Sequence, residues 1–195
     1  MRVGHPVAPD AIIEATGVRL RWPYPCAAAR YSGSRIPWAD IRDADPSIGA
    51  LAPELRLRDG RTIFLPARIR DELARALDRA GVPLLRRPPV WPRLLEPFLD
   101  TDYRLEREAV ERQLAGWGFP RSEVRRIRRR VFVPMVVLLG LTWEWIVFDQ
   151  TDLLVARFLV HAPPQVATWS SYRRFRRWTD AIADRPASGH GPAGQ

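Results

Sequence analysis

From residue 11 to 45 apolar and polar positions alternate in short runs broken by turn residues, which predicts strands over 12–15, 18–22 and 35–44. Val18, Leu20 and Trp22 share one face, with Arg19 and Arg21 on the other. Ile36, Trp38 and Asp40 share a parity that Ile41 leaves, so a bulge or bend is expected after Trp38. Between 54 and 66, Leu55 and Leu57 alternate with Arg56 and Arg58, Asp59-Gly60 supplies a turn, and Thr62 to Leu65 return. Two apolar runs joined by Asp-Gly predict a hairpin whose two central residues take positive φ. Ile69, Leu73, Ala76, Leu77 and Ala80 then fall at helical spacing, and Gly81 and Pro83 stop that helix.

Residues 84–92 hold three prolines in nine positions, which predicts an extended connection. Beyond it Trp91, Leu94, Leu95, Phe98 and Leu99 have helix-like spacing that Pro97 keeps short or kinked. Asp100, Thr101 and Asp102 offer capping and first-turn charge for a helix to about Ala115, which the stretch from Gly116 to Pro120 breaks. A further helix is expected from Ser122 with Val124, Ile127 and Val131 inward. It leads into the apolar run 131–148, a second apolar stretch at 153–160, and a last helix over about 170–184. The expected organisation is a flexible N-terminus (1–10), a strand-rich module (11–83), the proline-rich connection (84–92), a helical module (93–185) and a disordered tail (186–195). The fold class is therefore α+β: a small antiparallel sheet module with a closing helix, then an all-helical module.

Composition supports a folded chain, since 46% of the 195 residues are hydrophobic and 10% aromatic. The formal charge of +9 points toward acidic partners, yet every basic residue is arginine, a bias that GC-rich coding produces without functional demand. The single cysteine, Cys26, excludes an intramolecular disulfide and a cysteine-rich metal site. No apolar run follows a basic start near Met1, so no secretory signal is expected and the cytoplasm is the expected compartment, with membrane association as the alternative.

The segment Ile36-Pro37-Trp38-Ala39-Asp40-Ile41, the Asp59-Gly60 hairpin and the closing helix resemble bacterial pleckstrin-homology-like domains. The resemblance covers about a third of the chain and implies a barrel-like sheet, here of about five strands where such barrels have seven. Trp91 to Leu99-Asp100-Thr101, Ile127-Arg128, Trp143-Glu144-Trp145 and Asp152-Leu153-Leu154 are similar to a family of uncharacterised bacterial helical domains. That second resemblance implies no activity.

Arg125, Arg126, Arg129 and Arg130 sit on the second helix of a helix, turn, helix pair, as a DNA-reading segment would place them. Bulky Leu114 and a turn stretched by Trp117 and Pro120 oppose that reading. Its competitor is a solvated arginine face paired with Glu106, Glu108, Glu111 and Glu123. The 18-residue run 131–148, with basic and tryptophan flanks, has the layout of a membrane span. Pro134 and Glu144 favour a buried helix at the centre of the helical module instead. Among Asp100, Asp102, Glu144, Asp149, Asp152 and His161, Glu144 is the best catalytic candidate, against which stands a plain ion pair with Arg125 or Arg128. Arg173, Arg174 and Arg177, interleaved with Tyr172, Phe175 and Trp178, form a second anion-binding candidate on what also reads as an amphipathic helix. No metal-ligand spacing, phosphate loop or nucleophile elbow is present, so no cofactor or metal is expected. The expected role is a non-enzymatic binding or scaffold protein, with a protein partner first and nucleic acid or membrane behind it.

Overall fold

The computed structural model describes the backbone of residues 11–20, 35–47, 52–99, 103–141, 148–161 and 167–189. It forms two compact units, Met1–Arg86 and Arg87–Gln195. Strands belong to the first and most helices to the second, an α+β arrangement.

In the first unit β1 (Ala11–Glu14), β2 (Gly17–Leu20) and β3 (Arg35–Pro37) form one antiparallel sheet. β4 (Ile41–Asp45), β5 (Glu54–Leu57) and β6 (Thr62–Phe64) form another. The irregularity expected after Trp38 takes the form of a single 3-10 turn over Trp38–Asp40, followed by a register shift between Ile41 and Asp43. The Trp38 indole N–H donates to the Ala15 carbonyl at 3.0 Å and fixes the bend.

The hairpin forms, but its turn differs from the expectation. Only Gly60 has positive φ, at 83°. The Gly60 N–H donates to the Leu57 carbonyl at 3.0 Å, and Leu57 N–H to the Arg61 carbonyl at 2.7 Å. Arg58 and Asp59 thus turn with ordinary φ and glycine alone takes the left-handed position, the three-residue loop with a bulge. Alternation along β5 also misleads about Arg56, which is 2% exposed between buried Leu55 and Leu57. The reason is that residues 83–85 return beside β4, where Ala44 N–H donates to the Pro83 carbonyl and Leu85 N–H to the Ala44 carbonyl, each at 2.9 Å. Arg56 donates to the Leu85 carbonyl and to Asp43, and pairs with Glu54 at 3.2 Å, so its charge is compensated where it is buried.

α1 (Arg70–Arg79) buries Leu73, Ala76 and Leu77, and ends where Gly81, at φ 65°, lets Val82 N–H reach the Leu77 carbonyl at 3.0 Å.

The second unit starts earlier as helix than expected. Pro89 lies in a tight turn closed by Val90 N–H donating to the Pro88 carbonyl at 2.8 Å, and Val90–Leu95 then forms α2, because Pro92 falls in its first turn, where the missing N–H costs nothing. A 3-10 turn, Glu96–Phe98, accommodates Pro97. α3 (Tyr103–Gly116) ends as α1 does: Gly118 has φ 82° and Phe119 N–H donates to the Leu114 carbonyl at 2.9 Å, driving Phe119 into the core. α4 (Arg121–Leu141) joins the arginine segment and the first part of the apolar run in one helix, with Pro134 inside it. The run is not a wholly buried helix. Val131, Met135 and Leu138 face inward, whereas Phe132, Val133, Val136 and Val137 are 36–58% exposed. Among the described residues no helix is long and apolar enough to cross a membrane.

α5 (Gln150–His161) packs against α4, and α6 (Ala167–Gly189) packs on α5 and α2. The last helix runs through 186–189, which the sequence placed in a disordered tail.

Candidate anion-binding cleft

Helical periodicity puts an arginine beside a buried residue on each of three helices that meet: Arg130 before Val131 on α4, Arg157 after Ala156 on α5, and Arg174 before Phe175 on α6. Together with Ser171 and Phe175 they line an open-mouthed cleft of about 280 Å³. No carboxylate lines it among the described residues. Aromatic faces steady two of the guanidinium groups. The Arg130 carbon lies 4.1 Å from the Trp178 ring centre, and that of Arg157 lies 5.1 Å from the Phe175 ring centre. Burial first, and the like charge of Arg130 second, hold the Arg157 guanidinium below its ordinary value. Arginine nevertheless stays protonated, so the cleft concentrates positive charge. Planar guanidinium forks and a hydroxyl suit the tetrahedral oxygens of a phosphate.

Two of the residues singled out in the sequence, Arg130 and Arg174, are brought together here. Arg157 and Ser171 belong to neither arginine cluster, although Arg157 is the one charge within the apolar stretch 153–160, an interruption that marks it. Arg125, Arg126 and Arg129 lie exposed on α4, away from this lining; Arg173 and Arg177 are exposed on α6. Arg176 departs from the expected solvent side. It is 5% exposed and sits 3.7 Å from the Asp180 carboxylate.

The catalytic candidates fare differently. Glu144, Asp100 and Asp102 lie outside the described residues, as does the side chain of His161. Asp149 and Asp152 form a reciprocal cap on α5. The Asp149 carboxylate accepts from the N–H groups of Thr151 and Asp152 at 2.7 and 3.1 Å, and the Asp152 carboxylate accepts from Asp149 N–H at 2.8 Å. Burial, reinforced by the Asp149 charge, pushes the Asp152 carboxyl up to about 8. A helix cap accounts for both residues, and neither lines the cleft.

A second polar cluster is closed off from solvent. Gln150 Nε2 donates to Asp180 at 2.7 Å and to the Thr179 hydroxyl at 3.1 Å, while the Trp91 indole donates to the Thr179 carbonyl at 3.1 Å. It ties α2, α5 and α6 together. The expected carboxylate pairing of the arginine face occurs at Glu111, which meets Arg121 at 3.0 Å, and at Glu123, which meets Arg126 at 3.6 Å; Glu111 also meets Arg107 at 3.0 Å. Glu123 accepts both Nη groups of Arg185 at 2.8 and 2.9 Å, and the hydrogen bond from Arg185 is the main influence holding its carboxyl below the usual range. Among the described residues no three His, Cys, Asp or Glu side chains gather as a metal site would need.

Comparison with known protein families, curated proteins and solved structures finds no match to this chain.

Proposed function

We propose that this is a non-enzymatic binding protein of the cytoplasm whose helical unit holds a phosphate-bearing ligand in the Arg130–Arg157–Arg174 cleft. The observation that carries the reading is the convergence of three guanidinium groups, from three different helices, on one space. Three cations that line one cleft favour an anionic ligand, because a bound anion relieves their mutual repulsion. The strand-rich unit, which resembles a pleckstrin-homology-like module, serves in this reading as a protein-binding platform.

Titration calorimetry with pyrophosphate tests the cleft. Wild-type protein is expected to bind, and the double variant Arg130→Ala, Arg174→Ala to lose binding while keeping its helical circular dichroism. Equal heats from both proteins would refute the assignment.

DNA reading through Arg125, Arg126 and Arg129 ranks below this. Those residues are exposed on α4, as a reading helix requires, but the same face continues into Phe132, Val133 and Val136, which offer nothing to a phosphate backbone.

A further inference from the structure

The solvent face of α4 changes character along the helix. Its first half presents Arg125, Arg126 and Arg129; its second presents Phe132, Val133, Val136 and Val137. At helical periodicity Arg125, Arg129, Phe132 and Val136 follow one another up a single stripe, opposite the buried Val124, Val131 and Met135. Arg130 stands on the flank of this stripe with Val133 and Val137 three and seven residues on, so the cleft opens beside the apolar tier.

Charge and apolar surface are thus separated along the axis rather than around it. From Arg129 the helix rises about 5 Å to Phe132 and about 12 Å to Val137. That matches the roughly 5–10 Å over which a bilayer surface passes from headgroup phosphate to acyl chain. Phe132 is 55% exposed although its ring lies 6.1 Å from that of Phe98, so the side chain is braced while standing in solvent. A second copy of this chain is a poor occupant. Parallel pairing would set arginine tier against arginine tier, and antiparallel pairing would strand arginines on valines. The chain's net charge of +9 complements an anionic lipid surface.

We propose that this face of α4 docks peripherally on an anionic phospholipid bilayer. Arg125, Arg126 and Arg129 lie among headgroup phosphates, one lipid phosphate enters the Arg130–Arg157–Arg174 cleft, and the Phe132–Val137 tier meets the top of the acyl layer. The inference rests on the anion-binding reading of the cleft and names the source of its phosphate.

Vesicle sedimentation of the full chain, beside a thermal-shift assay with pyrophosphate, separates the two claims. Wild-type protein is expected to pellet with vesicles of phosphatidylcholine and phosphatidylglycerol but not with phosphatidylcholine alone. The variant Val133→Asp, Val136→Asp, altered at exposed positions only, is expected to lose roughly tenfold in partitioning yet keep its pyrophosphate shift. Arg130→Ala with Arg174→Ala is expected to lose the shift and weaken partitioning by about fivefold per arginine. Wild-type protein that shows the shift but stays in the supernatant would overturn bilayer docking and leave the cleft standing. Vesicle binding unaffected by the aspartates would overturn the apolar tier. Absence of any pyrophosphate shift in the wild type would overturn the cleft, and this inference with it.

Discussion

Gly17 has no room for a side chain: a Cβ there would lie 2.1 Å from the Ile36 carbonyl oxygen on the neighbouring strand. Because the obstacle is backbone, Gly17→Ala must push β2 from β3, and chemical denaturation is expected to show a loss of about 2 kcal/mol or more. Asp152 makes a different kind of prediction. Its folded carboxyl holds a proton up to about 8, whereas the unfolded residue releases it near 3.8. The native state therefore binds the proton more tightly, so this group's contribution to stability falls as pH rises through that window and levels off above it. Asp152→Asn keeps an oxygen for the Asp149 N–H without ever ionising. Its melting temperature is expected to exceed the wild type's at pH about 8, and the difference to vanish near pH about 4. A constant difference at both pH values would show that Asp152 does not titrate in this range.

For the helices, Asp180 is the element-binding residue. It is 1% exposed, lies by Arg176 on its own helix and accepts from Gln150 of α5. Asp180→Ala would leave the buried Arg176 without that carboxylate, and a loss of about 3 kcal/mol is expected in urea unfolding of the helical unit. A change within experimental error would mean that the cluster is not what joins α6 to α5. The ends of the helices were easier to read. Gly81 and Gly118 each stand where a left-handed residue is needed, and both stops were legible because the cause is local. The start of α2 was not: three prolines suggest an extended chain, and only packing of Trp91, Leu94 and Leu95 into the helical core repays the ordering of that short helix.

At the level of the entire molecule, the positive charge makes weak retention on any polyanion expected at low salt. Phosphocellulose chromatography is expected to release the protein as salt rises. Replacing Arg125, Arg126 and Arg129 with alanine is expected to lower the elution salt without altering the melting temperature, since all three are exposed and none packs in the core. Sequence-specific DNA binding that survives the triple substitution would place nucleic-acid contact elsewhere on the chain. The candidate cleft is only partly legible in the sequence. Arg130 and Arg174 stood out as members of two arginine clusters, but those clusters are far apart in sequence. Their union with Arg157 depends on α4, α5 and α6 packing side by side.

The order and type of the elements follow from amino-acid pattern, because period, turn residues and helix stops act over a few neighbouring positions. The Asp59-Gly60 hairpin, the closing helix α1 and the break at Gly118 belong to this class. The fate of individual arginines does not. Arg56 and Arg176 look solvated by spacing yet are buried, Arg56 beside residues 83–85 and Arg176 beside Asp180. Phe132 and Val133 look buried by composition yet stand in solvent. Periodicity assigns a residue to a side of its own helix or strand; which element, carboxylate or solvent meets that side is settled by non-local packing, where the energies of burial and ion pairing are decided.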